Sequence, residues 1–391
     1  MYKKLKRLYA DSNDSAYKNL PSISFFVNYL KEGGGPMGYT YNLKIGFTEL
    51  NIEDFKINFY ETELKFNMQN YSLLNRLQRK LCLLKKHKIL KDKIINSDIC
   101  IFQGFQETYL IKYAKKIKKQ IVYMPHSPSI MADEKKMTYE LNNRKFSKKD
   151  YKFLFYSEQL FFQNADYFVF PSENSFSAYE THWGNYINQK KVFFIKSGTI
   201  IRKKTSYSIN IFSNLKCDKF IIAFIGRYVT HKGFDVFCKV AELLKENPEI
   251  QFVCAGSGPL EKIIPANLLN LGFINDIGNL IELCDIVVIP NKVTYYDLLP
   301  IECAAYGKAL IFSDNGGNID QARDFKDSLI FRTNSMDSLK EKILEGIEIK
   351  KNNNLFGTAN EKVYNSEFTE IALAERWSFL LRKLIQEKCY E

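Results

Sequence analysis

At 391 residues, with 46% hydrophobic and 26% charged, the chain is long enough for two globular domains with separate cores. No apolar run approaches the roughly 18 residues of a membrane span, and the basic start MYKKLKRLY runs into ADSNDSAYKNLPS, so a cytoplasmic protein without a signal peptide is expected. The net charge of +12 is uneven: residues 1–200 hold 32 Lys and Arg against 19 Asp and Glu, whereas residues 201–391 hold 24 against 25, so the first half is expected to meet something anionic.

In chain order, SISFFVNYL (22–30) and FKINFYE (55–61) read as strands. DICIFQG (98–104), QIVYMPH (120–126), DYFVFPS (166–172) and KVFFIKSG (191–198) follow. Helical patterns cover 37–50, 72–93, 107–119 and 151–164. The polar stretch 199–217 has no clear period and is where the chain is expected to cross between domains. The pattern then restarts with a strand over 219–227 and a helix over 235–247. Strands are predicted at 250–258, 268–274, 285–291, 309–314 and 328–331, and a long amphipathic helix ends the chain. Alternation of this kind predicts an α/β protein of two doubly wound parallel sheets, with ligands in a cleft between them.

None of the eight cysteines forms a C-x-x-C pair, and most lie in apolar stretches such as FVCAG and IELCDIVVIP. They read as small buried hydrophobes in a reducing compartment. Four isolated histidines give no zinc spacing.

Several glycine turns fall at predicted strand ends. GGGPMGYTYNL (33–43) opens a helix with three consecutive glycines, including Gly35, and its free N–H groups favour an anion. It is neither G-x-G-x-x-G nor a G-K-[ST] loop. In YMPHSP (123–128), His126 lies just past a strand end, where α/β sheets present ligand contacts, although a lone histidine is more often structural. In GRYVTHKGFD (226–235), Arg227 and Lys232 flank a short loop beside Gly226, and two cations suit a diphosphate. AGSGP (255–259), with Gly258, and SDNGGN (313–318) are further turns on the same side.

TYYDLLPIECAAYGKAL (294–310) carries the most chemistry. Pro300 suits the first turn of a helix that Gly307 would stop. Free N–H groups near Leu299 and Ile301 would face an anion, and Glu302, one turn in, could bind a ribose diol or simply complement the helix dipole. The basic stretches 75–93 and 112–120 suit an anionic membrane surface, or else a core-facing helix with a solvated outer side. No RNA-binding or zinc-finger signature accompanies them, so nucleic acid is not an expected partner.

Taken together, GGGPMGYTYNL, MPHSP, ADYFVFPSENS, KSGT, GRYVTHKGFD, AGSGP, LGFIND, CDIVVIPN and DLLPIECAAYGKALIFSDNGG resemble, in order, a retaining glycosyltransferase of family 4 with the GT-B fold, of the bacterial surface-polysaccharide type. The likeness is most specific over 219–320 and looser over 20–200. It implies a basic acceptor-binding domain over 1–200, a donor-binding domain over 201–375 and a helix over 376–391 that could pack back on the first domain. The donor would be a nucleoside-diphosphate sugar, with a UDP-sugar favoured. The acceptor would be a glycan or lipid-linked acceptor for lipooligosaccharide, capsule or O-antigen synthesis, met at the cytoplasmic face of the inner membrane. Carried over, Arg227 and Lys232 match the cations that bind the donor diphosphate, and Glu302 matches the acid that binds the ribose. The amides of Leu299–Ile301 (with Pro300) match those holding phosphate. Gly35 matches the first-domain loop, and His126 a histidine that contacts the transferred sugar.

The departure is at Thr294, where many relatives have Glu eight residues before the second acid. Three readings stay open: the hydroxyl substitutes for the carboxylate, Asp297 reaches in, or the enzyme is impaired. No D-x-D-type motif is present, so metal independence and no cofactor are expected. A sugar-nucleotide epimerase and a non-catalytic carbohydrate-binding scaffold are the alternatives.

Overall fold

A computed structural model describes residues 20–63, 73–104, 108–141, 144–201, 215 and 218–389. The first half runs β1 (Ser22–Val27), α1 (Gly35–Leu50), β2 (Lys56–Glu61), α2 (Leu73–Ile95), β3 (Ile99–Phe102), α3 (Thr108–Lys116) and β4 (Gln120–Tyr123). It continues with α4 (Met131–Leu141), α5 (Lys148–Asn164), β5 (Tyr167–Phe170), α6 (Ser177–Ile187) and β6 (Lys191–Phe194). The second half begins with β7 (Phe220–Ile225), a 3-10 turn at Thr230–Lys232, α7 (Phe234–Leu243), β8 (Ile250–Ala255) and β9 (Leu268–Asn270). Next come α8 (Gly278–Leu283), β10 (Ile286–Ile289), α9 (Leu298–Ala305), β11 (Ala309–Ser313), α10 (Gly317–Asp324) and β12 (Ser328–Phe331). The chain closes with α11 (Met336–Asn352), α12 (Thr358–Val363), a π turn at Tyr364–Phe368 and α13 (Glu370–Cys389).

Two six-stranded parallel sheets result, ordered β2-β1-β3-β4-β5-β6 and β12-β11-β10-β7-β8-β9. The second is the Rossmann order, with its reversal between β7 and β10; the first reverses between β1 and β3. Central strands such as ICIF (β3), YFVF (β5) and IVVI (β10) are buried along their whole length, as a sheet covered on both faces requires. This is the GT-B architecture of two Rossmann-like domains facing a cleft.

Helix α13 belongs spatially to the first sheet. Trp377 is fully buried, meets Phe25 edge-on at 5.3 Å and donates its indole N–H to the Tyr39 hydroxyl at 2.8 Å. A Cβ on Gly46 of α1 would lie 2.1 Å from the Glu370 carbonyl, so only glycine permits this approach. Apolar packing dominates here. Truncating a buried Trp costs about 3–5 kcal/mol, whereas half-exposed pairs such as Arg382–Asp54 and Lys388–Asp98 contribute about 0–1 kcal/mol each.

Most predicted strands end sooner than their apolar runs. SISFFVNYL stops pairing at Val27, QIVYMPH at Tyr123 and LLNLGFI at Asn270, and beyond those points Asn28, His126, Phe273 and Ile274 line the cleft. Helices α4, α6, α8, α10, α11 and α12 were not anticipated. Cys100, Cys238, Cys254, Cys284 and Cys303 are buried, but Cys82 is exposed on α2, contrary to the expectation for all cysteines. Leu84, two residues on, is exposed as well. Cys217 and most of the expected crossing at 199–217 lie outside the described residues.

Candidate functional site

The carboxyl edges of the two sheets enclose a cavity of about 950 Å³, at the strand reversals where such folds place ligands. One wall comes from the loop after β1, the loop after β4 and helix α4. The other comes from the turns after β7, β8 and β10 and the start of α9.

On the second wall, Gly226 and Arg227 follow β7, and His231 and Lys232 follow in the 3-10 turn. An Arg227 guanidinium nitrogen lies 3.4 Å from His231 Nε2. Lys232 is bound in an ion pair to Asp297, whose carboxylate also accepts from Asn291 Nδ2 at 2.7 Å. Burial would raise the Asp297 pKa, but the Lys232 charge and hydrogen bond, the Asn291 bond and Arg227 together hold it below the usual carboxylate range. Asp297 is the N-cap residue of α9, yet its side chain makes no capping bond because it is committed to Lys232 and Asn291. The first-turn N–H groups of α9 therefore have no side-chain cap, and Leu299 and Glu302 line the cavity beside them.

Each residue of Thr294–Asp297 has a different task. Thr294 is 5% exposed and lines the cavity, and its Oγ1 is buried without a hydrogen-bond partner. Tyr295 crosses to the first domain and donates to the Pro125 carbonyl, next to His126. Tyr296 donates to Asp324 Oδ2 at 3.2 Å. Gly317 admits the start of α10 against this segment, since a Cβ there would lie 1.7 Å from the Tyr295 carbonyl.

On the first wall, His126 packs between Tyr39 (centroids 4.5 Å apart) and Tyr295 (6.0 Å). Burial alone pushes its pKa down to about 3, so the ring is neutral near pH 7, and its Nε2 is a second buried polar atom without a partner. The Gly33–Met37 segment lies beside it. Helix α4 contributes Met131, Glu134, Lys135 and Thr138, spaced as one helix face. Glu134 accepts from Ser127 Oγ at 2.6 Å, and Glu158 of α5 accepts from the Met131 N–H at 3.1 Å, pinning the start of α4.

Of the residues expected from sequence, the structure brings Gly35, His126, Gly226, Arg227, Lys232, Thr294, Asp297, Leu299 and Glu302 to this one cavity. It does not bring Gly258, Pro300 or Ile301 there. Gly258 packs on the Tyr228 backbone, and Pro300 and Ile301 are buried in α9, with Ile301 in the apolar core. Sequence reasoning missed Tyr39, His231, Asn291 and the α4 face. His231 and Asn291 sit inside motifs already singled out, whereas α4 gave no such signal. Among the described residues, no group of three or more His, Cys, Asp or Glu side chains could hold a metal ion. No described helix is long and apolar enough to cross a membrane.

Residues 208–363 match the family described as glycosyl transferases group 1. The chain is 26% identical over 314 residues to the N,N'-diacetylbacillosaminyl-diphospho-undecaprenol alpha-1,3-N-acetylgalactosaminyltransferase of Campylobacter jejuni, covering 71% of this chain and 81% of that protein. Over 164 residues it is 26% identical to the UDP-Gal:alpha-D-GlcNAc-diphosphoundecaprenol alpha-1,3-galactosyltransferase of Escherichia coli, covering 39% of this chain and 42% of that one. The sucrose-phosphate synthase of Thermosynechococcus elongatus shares the fold, with a TM-score of 0.69 over 94% of this chain and 100% of that one at 15% identity.

Proposed function

Because this chain is a GT-B glycosyltransferase related to bacterial nucleotide-sugar transferases of surface-polysaccharide pathways, we propose that it is a metal-independent, retaining enzyme that moves a sugar from a UDP-sugar to a lipid-diphosphate-linked glycan. The observation that carries the reading is the convergence of Arg227, Lys232, the uncapped start of α9 and Glu302 on one wall of the cavity, opposite the glycine loop and His126. The diphosphate lies against Arg227, Lys232 and the α9 amides, and Glu302 accepts from the ribose hydroxyls. The unpartnered Thr294 Oγ1 and His126 Nε2 hydrogen-bond the sugar, which favours the hydroxyl reading of Thr294 over Asp297, already committed to Lys232.

As the bond from sugar to phosphate breaks, negative charge builds on the leaving diphosphate. Cations and helix amides fixed beforehand stabilise that charge where it develops. The acceptor hydroxyl attacks the same face of the sugar and passes its proton to the departing phosphate oxygen, so no protein nucleophile is required. UDP is favoured because one relative is named for a UDP-sugar donor, and both relatives are named for acceptors on a diphosphate-linked undecaprenol.

The acceptor is met at the cytoplasmic face of the inner membrane. Helices α2, α3 and α5 pack side by side over the first sheet. Their outer faces expose Lys85, Lys88, Lys112, Lys116, Lys149 and Lys152 beside Leu84, Ile89, Phe153 and Tyr156, which suits an anionic bilayer surface.

Calorimetric titration with UDP, GDP, ADP and CMP tests the donor site. UDP is expected to bind, and Glu302→Ala to weaken it by about tenfold or more through loss of the ribose hydrogen bonds. Equal UDP affinity in the variant would remove Glu302 from the site.

A further inference from the structure

His231 lies in the 3-10 turn between the two cations and lines the cavity. Its Nε2 is 3.4 Å from the Arg227 guanidinium. A guanidinium can only donate, so Nε2 accepts and the ring proton sits on Nδ1. That Nδ1 is shut off from solvent and has no hydrogen-bond partner. The charged groups around the ring are Arg227 and Lys232 on its own loop and Asp297 at the start of α9. From the neighbouring strand end, Lys292, which is paired with Asp235 of α7, donates its backbone N–H to the His231 carbonyl at 2.8 Å. Burial first, then Arg227 and Lys232, push the imidazole pKa down to about 4 against the upward pull of Asp297. The ring is therefore neutral near pH 7, and the Arg227 guanidinium faces its lone pair.

We propose that His231 is a further ligand of the donor diphosphate, taking up a proton as the nucleotide binds and becoming the third cation of the site. The inference deepens the donor-site reading above and rests on it. When the diphosphate enters, Arg227 turns its N–H groups to the phosphate oxygens. Nε2 then loses its donor and would face an anion with a bare lone pair. The field at the ring also changes, because two cations that opposed protonation are now neutralised by phosphate. A proton from solvent on Nε2 removes both penalties, and the imidazolium N–H donates to a phosphate oxygen. One proton is gained on binding and returned on release. The bound state thus holds more protons than the free state, so affinity falls as pH rises.

The test is calorimetry of UDP binding in buffers of low and high ionisation enthalpy, from pH 6 to pH 8. Free UDP tends to lose its own last proton on meeting cations, which is the opposite sign and separates the two sources. Wild type should show net uptake averaging about half a proton and a loss of affinity of about tenfold across the range. His231→Gln and His231→Asn should lose the uptake and flatten the slope. Weaker binding by both variants with an unchanged proton count means a purely structural role and overturns the proposal. In the unmutated chain, ring nitrogen shifts of His231 should move to the imidazolium range on saturation with UDP; shifts that stay neutral also overturn it. If UDP does not bind wild type at any pH, the donor reading has failed and this inference falls with it. If UDP binds without proton uptake, the donor reading stands and only this inference is lost.

Discussion

At the scale of single residues, Thr294 matters most. It stands where an acid is common, and sequence alone left three readings of that exchange. The Asp297 carboxylate is held by Lys232 and Asn291, while the Thr294 hydroxyl is buried, unpartnered and on the cavity wall, and on that geometry we propose the hydroxyl reading. Thr294→Val keeps the shape and removes only that hydroxyl. Stability should hold within about 1 kcal/mol, since no protein hydrogen bond is lost. The kcat/KM for the cognate donor should fall roughly 10–100-fold, the scale of one lost bond to a substrate hydroxyl. Thermal melts and steady-state kinetics on the same preparation check this. Unchanged kcat/KM would mean that Thr294 does not touch the sugar. The Lys232–Asp297 pair was not legible in the sequence, because its partners are 65 residues apart and each had a separate expected role.

At the scale of elements, strands were legible because parallel strands covered on both faces are continuous apolar runs, as in ICIF and IVVI. Their ends were not, because the runs continue past the last paired residue, as MPH does after β4, where Met124 stays in the core and His126 reaches the cleft wall. Helix α4, MADEKKMTYEL, escaped notice because, among its described side chains, Ala132 alone is fully buried in the core and one face borders the cavity. The proposed membrane-facing role of α5 also needed three dimensions. Its lysines and exposed aromatics join those of α2 and α3 only once the helices are packed side by side. Phe153 is 65% exposed and Tyr156 58%, and neither is explained by the core of this chain. Vesicles containing phosphatidylglycerol should sediment the protein about tenfold better than neutral vesicles, with the difference lost in high salt. The pair Phe153→Ser and Tyr156→Ser should weaken that binding without changing UDP affinity. Equal sedimentation with neutral and anionic vesicles would remove this face as the docking surface.

At the scale of the whole molecule, the site exists only where the two sheets meet. Tyr295 bonds to Pro125, Asn174 bonds to Asp320 at 2.7 and 2.9 Å, and Lys196 reaches both Asp324 and Glu367. These contacts hold the neutral His126 opposite Thr294 and set the first-domain glycine loop across from Arg227 and Lys232. In the function proposed above, sugar transfer follows from that meeting of domains, with one wall supplying the donor and the other the acceptor. The most direct measurement incubates the protein with UDP-galactose or UDP-N-acetylgalactosamine and a lipid-diphosphate-linked sugar acceptor, in the presence of EDTA, and reads the anomeric configuration of the product by NMR. An alpha-linked product formed from the alpha-linked donor without metal is the predicted result. A beta-linked product, or transfer that appears only when a divalent metal is restored, would contradict the account.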